Sequence, residues 1–420
     1  MAEDKKTPPL GAILTVLTLS HTVISFSNLS IPALTPFLRE ELGLTHAQLG
    51  MLVSFFFTGV VAASIFFGWT SDLLGERRTL MIGLGIQGVF MIGFSLISGF
   101  FLGGLLLIMA GIGYSSVAPA TTKGVMRWFS SQGRATAMGV KQTGIPLGGI
   151  LAASVLPGMA LSLGWRFSVL LGAFLTLSAV LLVRVLIPPA APSVRGPAQN
   201  FWKQLYEVFS NRNIMAISIM GIFLAGVQLS LITHLVLFLK NKFFFSSVMA
   251  GMYLASAQAG GIAGRIGWGL VSDFIAGGKR KLILVIIGVA AVIQLLLLRR
   301  IEADFSGGLL LLFIFLLGST TIGYHGVLFG LMGEIVKKEI VGLATGFSLT
   351  ITFLGIILFP PLFGHLVDKQ GSYNQAWDLL ALSWVAAILI LIFFVKEKNQ
   401  FAGTLQSRVD DQGRRKKGSP

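Results

Sequence analysis

The chain has 420 residues, 54% hydrophobic and only 12% charged, with a formal net charge of +15 and no cysteine. A water-soluble domain carries roughly a quarter charged residues, so this composition, with a mean hydropathy of +0.82, excludes a soluble fold. Without cysteine there are no disulfides and no thiolate metal sites.

An apolar run of about 20 residues crosses a hydrocarbon core of ~30 Å as a helix. Twelve such runs are predicted, at 11–38, 46–71, 79–98, 101–127, 132–159, 164–187, 212–240, 246–275, 281–299, 305–335, 340–367 and 375–396. The start, Met1 to Lys6, leads into an apolar segment too long for a signal-peptide core, so no cleavable leader is expected. The first run carries Thr18, His21, Ser25 and Asn28 on one helical face. Inside a bilayer such a stripe has to meet a cavity or another helix. His21 is a candidate proton carrier because imidazole titrates near physiological pH, with an interhelical hydrogen bond as the alternative.

After the second run the chain reads Gly68, Asp72, Gly75, Glu76, Arg77, and after the eighth Gly269, Asp273, Gly277, Lys279. The first glycines and the aspartates of the two loops are each 201 residues apart. Ala137-Met138-Gly139 against Ala344-Thr345-Gly346, and Trp165 against Trp377, repeat the echo. Gly68 and Gly269 are expected to allow close helix contact, and Gly75 and Gly277 a tight turn. Asp72 and Asp273 would cap a helix or pair with Arg77 and Lys279, forming a conformational latch.

The fourth run offers Tyr114, and the fifth places Ala137, Lys141, Gly144 and Gly148 on one face, with Gln142 adjacent and Pro146 freeing a carbonyl. A polar stretch at 188–211 is predicted to link residues 1–187 to residues 212–396, with a short amphipathic surface helix at 201–209 anchored by Trp202. Gln228 and His234 in the seventh run, and Tyr324 and His325 in the tenth, are further candidates, the histidines for proton coupling. In the eighth run Gln258, Gly261 and Arg265 align. Residues 397–420, ending in a basic cluster from Arg414 to Lys417, are expected to form a disordered cytoplasmic tail, near anionic lipid.

Lys141 and Arg265 lie deep in apolar runs, where no acidic residue does, so the missing partner is read as an anion that comes and goes. The remaining positive charge has a plainer cause. With both termini cytoplasmic, 22 of the 32 Lys and Arg fall inside, seven outside and three within helices, the asymmetry that orients a bacterial inner-membrane protein. The excess charge is therefore topology and calls for no nucleic acid. No metal site, catalytic triad or phosphate loop is visible, so neither an enzyme nor a cofactor is expected.

The twelve runs, their six-plus-six division and the loop repeated in both halves resemble the major facilitator superfamily over nearly the whole chain. The resemblance implies an all-α membrane protein of two pseudo-symmetric six-helix bundles around a central cavity, working by alternating access. It also implies that helices 1, 4, 7 and 10 line the cavity, and that helices 5 and 8 set Lys141 and Arg265 opposite each other. The helix 5 run resembles one in bacterial facilitators for small anions, and Arg265 resembles the arginine of monocarboxylate and oxalate–formate carriers. Departures are Leu73 and Glu76 in the first loop, where basic residues are usual. Leu107 also stands where proton-linked members have an arginine, which argues against coupling by that route.

The expected function is rocker-switch transport of a mono- or dicarboxylate by a monomer, as proton symport or anion exchange. Arg265 would hold the carboxylate, Lys141 would supply a second charge, and Gln142, Asn28, Tyr114, Tyr324 and Gln258 would orient the rest. Carriage of nitrate or cyanate, export of hydrophobic drugs, and a non-transporting receptor are the alternatives.

Overall fold

The computed structural model describes residues 9–129, 134–189, 201–302, 305–335 and 341–396. The tail and residues 190–200 of the linker segment lie outside these residues, as do the side chains of Asp72, Trp202 and Ala344 and the surroundings of Gly346. Twelve long helices follow one another: α1 Leu10–Ala33, α2 His46–Gly68, α3 Leu74–Ser95, α4 Phe100–Trp128, α5 Ala137–Leu163 and α6 Trp165–Leu186, then α7 Arg212–Phe243, α8 Ser247–Leu270, α9 Arg280–Leu298, α10 Gly307–Met332, α11 Phe347–Gln370 and α12 Asn374–Phe394. Eleven are long and apolar enough to cross a membrane; in α8 the glycines, Gln258 and Arg265 dilute the apolar content. Short helices at Thr35–Leu42 and Phe201–Ser210 and a π-helical turn at Val271–Ile275 accompany them.

Three of the long helices are interrupted, and two interruptions have a proline as their cause. Pro119 has no N–H for the Ser115 carbonyl, and α4 breaks at Ser115–Ser116; Pro146 has none for Gln142, and α5 breaks at Thr143. In α10 the Thr321 hydroxyl donates to the Leu317 carbonyl at 2.6 Å, and the Thr320 hydroxyl lies 2.6 Å from Gln294 Oε1 and 2.9 Å from the same carbonyl, just before the break at Ile322–Tyr324. Lipid-exposed backbone does not tolerate such gaps, so the three breaks mark surface covered by protein or a cavity.

The chain reverses tightly between α2 and α3 at Gly75, with φ +78°, and between α8 and α9 at Gly277 and Gly278, with φ +61° and +80°. Gly68 and Gly269 do not provide close contact: a Cβ added at either meets nothing within 4 Å. Asp273 pairs with Arg280 at 3.1 Å, not with Lys279, which is exposed. Arg77 donates to the Arg184 carbonyl at 2.6 Å. The expectation of no buried acid also fails, because Glu76 is fully buried. The turn at Gly75 aims it into the first half, where it accepts from Arg127 at 2.7 Å and the Trp128 indole at 3.2 Å.

The two halves meet on the face opposite the helix ends Leu10 and Phe394. There α2 crosses α11 so closely that a Cβ at Gly50 would stand 2.3 Å from the Pro360 carbonyl carbon, and one at Gly364 would stand 2.2 Å from the His46 carbonyl oxygen. Phe57 meets Phe353 across this crossing with centroids 5.6 Å apart. A carboxylate from the second half also caps the first. Asp368 Oδ1 accepts from the His46 N–H at 2.9 Å and Oδ2 from the Ala47 N–H at 2.8 Å, at the positive N-terminus of α2. Toward the other face Thr122, Val140 and Gln142 of α4 and α5 are exposed. The molecule is closed at the far face.

A lost N-cap costs about 1 kcal/mol, roughly a fivefold change in a two-state equilibrium. In a protein with no native cysteine, Ser54→Cys on buried α2 reports opening of this crossing. Asp368→Ala is expected to raise maleimide labelling of that cysteine about fivefold in detergent; an unchanged rate would mean that the carboxylate does not hold the face shut.

Candidate functional site

The polar residues inside the molecule gather in two places. The first is built around Arg265 on α8. Its Nε is buried without a hydrogen-bond partner, and among the described residues no carboxylate pairs with the guanidinium. Tyr114 from α4 and Tyr324 and His325 from α10 lie within its electrostatic reach. The Tyr324 hydroxyl donates to Gln228 of α7 at 3.3 Å, while its ring stacks on His325 at 4.2 Å and stands edge-on to Trp384 at 5.8 Å. His325 lies 3.1 Å through Nδ1 from the Ile322 carbonyl; this assigns the proton to Nδ1 and leaves Nε2 an acceptor. Tyr114 packs on Phe56 and Phe57, at 5.4 and 6.4 Å, beside the buried Ser25 of α1. Asn28, one turn beyond Ser25, is buried as well.

The second place lies inside the first half. Lys141 is 1% exposed and donates to Thr121 at 3.0 Å and Thr122 at 2.7 Å. His21 Nε2 is 2.8 Å from the same Thr121 hydroxyl. Glycine makes this possible, because a Cβ at Gly144 would stand 2.6 Å from the Thr18 carbonyl and 2.8 Å from the His21 Cβ, so α1 and α5 touch along their backbones. Lys141 is thus turned into its own bundle toward α4 and α1. It does not confront Arg265 across the cavity as helices 5 and 8 were expected to arrange.

The other candidates separate. Gln258 lies where α8 meets α5, its amide 2.8 Å from where a Gly149 Cβ would be, and Gln142 is exposed and outside both clusters. His234 belongs to the closed far face: its Nε2 lies 3.0 Å from the Pro360 carbonyl and its ring stacks on Phe363 at 4.7 Å, which sets it apart from Arg265. Among the described residues no group of His, Asp or Glu could hold a metal.

The sequence model of the Major Facilitator Superfamily matches residues 16–360. The chain belongs to that superfamily. As such it is a multi-pass membrane transporter and not an enzyme. The Bacillus subtilis hexuronate transporter is 25% identical, over 88% of this chain and 90% of its own length. The cis,cis-muconate transport protein of Acinetobacter baylyi is 26% identical, over 86% and 88%. The crystal structure of a D-xylose–proton symporter superposes with a TM-score of 0.77 at 17% identity, covering 92% of this chain and 98% of that one. The two-bundle facilitator fold follows.

One signal for the Arg265 cluster escaped the sequence reading. Ile112-Gly113-Tyr114 and Ile322-Gly323-Tyr324 repeat 210 residues apart, each at the break in its helix. The duplicated fold thus sends one tyrosine from each half toward Arg265.

Overpacking a tight contact costs about 1–3 kcal/mol. Gly144→Ala, forced against the α1 backbone, is expected to lower the melting temperature. Gly139→Ala, where the added methyl meets nothing within 4 Å, is expected to leave it unchanged. Equal melting temperatures would contradict the close approach of α1 and α5.

Proposed function

We propose that this transporter carries a small organic anion bearing a carboxylate, and that Arg265 is the group that binds it. The observation behind this reading is a buried guanidinium nitrogen with no partner beside two tyrosines from opposite halves. A charge in mid-membrane costs ~3 kcal/mol even on the scale that puts it lowest, so it is kept for a reason. A carboxylate satisfies the planar fork of arginine in two parallel hydrogen bonds. Tyr114, Tyr324 and Asn28 would orient the remainder, and His325 Nε2 offers an acceptor for a substrate hydroxyl. The hexuronate and cis,cis-muconate transporters are both named for carboxylates, which supports the class.

In this reading residues 1–187 and 212–396 rock as two bundles about the site, with 188–211 as the linker between them and 397–420 as a tail. Both termini face the cytoplasm of a bacterial inner membrane, so the closed far face is the outer one, and the molecule acts as a monomer. The anion cancels the charge of Arg265 and so lowers the barrier to closing the inner side. Either a proton or a second anion completes the cycle.

Removing an uncompensated cation relieves its desolvation cost. Arg265→Gln is therefore expected to melt higher than wild type without ligand, and to lose the stabilisation that millimolar D-glucuronate or cis,cis-muconate gives the wild type. Arg265→Lys should keep part of it. Wild type stabilised by nitrate or cyanate alone, or a glutamine variant that still responds to carboxylates, would overturn the assignment.

A further inference from the structure

An anion held at Arg265 leaves Lys141 and His21 without a task, yet both are buried at one hydroxyl. Thr121 Oγ1 has four polar neighbours: Lys141 Nζ at 3.0 Å, His21 Nε2 at 2.8 Å, and the Val117 and Ala118 carbonyl oxygens at 2.7 and 3.3 Å. A threonine hydroxyl has one proton to donate and two lone pairs. It can give that proton to Val117 or turn it to His21, while Lys141 donates to it in either case. In the second arrangement an unbroken path runs from Nζ–H through Oγ1–H to Nε2. The path also has an entrance, because Lys141 donates to Thr122 at 2.7 Å and Thr122 is exposed.

We propose that Lys141, Thr121 and His21 hold one proton between them, and that this proton travels with the anion. The inference rests on the carboxylate reading above and chooses symport over exchange. With the proton on Lys141, His21 is neutral, protonated at Nδ1, and Nε2 accepts from Thr121. Transfer breaks one Nζ–H bond as Oγ1 takes that proton, and breaks the original Oγ1–H bond as Nε2 takes that one. The products are a neutral amine, an intact hydroxyl and an imidazolium, with no other reactant needed. The reverse step restores the start.

Among the described residues Lys141 is the charge His21 feels. Against the cluster α3 brings Glu76, held on Arg127 beside Gly124, and α4 brings Lys123, whose ammonium donates to the Ser71 carbonyl at 2.7 Å. Among the described residues no further titratable group of α1, α5 or α6 acts on His21 or Lys141. His21 also stands one helical turn before Ser25, which neighbours Tyr114, which lies in reach of Arg265. Proton and anion therefore share one wall of α1, the anion on Arg265 and the proton on the Lys141–His21 pair.

The test uses proteoliposomes. D-Glucuronate accumulation driven by a pH gradient is compared with D-glucuronate counterflow without one. Thr121→Val, which keeps the shape and removes the hydroxyl, and His21→Gln are expected to cut gradient-driven accumulation about tenfold while counterflow persists. Thr121→Ser should restore accumulation. Accumulation that ignores the pH gradient in wild type, or that survives both variants, overturns the proposal. If wild type shows no counterflow, the carboxylate reading alone fails, and the relay is judged without ligand. In protein labelled with ¹⁵N-histidine, the His21 signal (identified by its loss in His21→Gln) should titrate about one pH unit away from wild type in Thr121→Val and return in Thr121→Ser. One midpoint shared by all three overturns the relay.

Discussion

Inside a bilayer every backbone amide and carbonyl has to find its partner within the protein, and this constraint organises the molecule more than any single contact. It makes the chain helical throughout its spans, and it makes an interrupted helix costly wherever lipid touches it. The three interruptions of α4, α5 and α10 therefore sit where other helices or the central space cover them. Each delivers site residues: Tyr114 precedes the first, Lys141 the second, and Tyr324 and His325 adjoin the third. Broken helices and interior polar groups are two consequences of one arrangement.

The two interior cations have different surroundings, and the difference sorts their roles. Lys141 donates to two threonine hydroxyls, whose neutral oxygens solvate an ammonium without fixing its charge. Arg265 has aromatic neighbours, a buried Nε lacking a partner, and no acid in contact among the described residues. The first environment suits a group that keeps or passes a proton; the second suits a group waiting for an anion. At the far face, glycine contacts and the Asp368 cap draw α2 and α11 together.

The fold was legible because its signal is coarse: apolar runs of crossing length, halved in the middle, with one loop written twice. α8, the least apolar of the twelve helices, was still found, since the pattern around it fixed the count. The site was legible in part. Depth along a helix picked out Lys141 and Arg265, but depth does not say which way a side chain turns. Gly144 and Gly148, on the same face as Lys141, let α1 close over it and hide it. Glu76 was missed as a buried acid because it stands among loop residues, and only the left-handed turn at Gly75 sends it inward. Asp368 had no local signal at all. Its partners are backbone amides more than 300 residues away, on another helix.

The claim that a passing carboxylate completes the charge of Arg265 is tested most directly by a structure determined with cis,cis-muconate or D-glucuronate bound. The account predicts a carboxylate within hydrogen-bonding distance of the guanidinium, between Tyr114 and Tyr324. A carboxylate seated instead on Lys141, or an Arg265 that pairs with an acid of the protein while the ligand binds elsewhere, would contradict it.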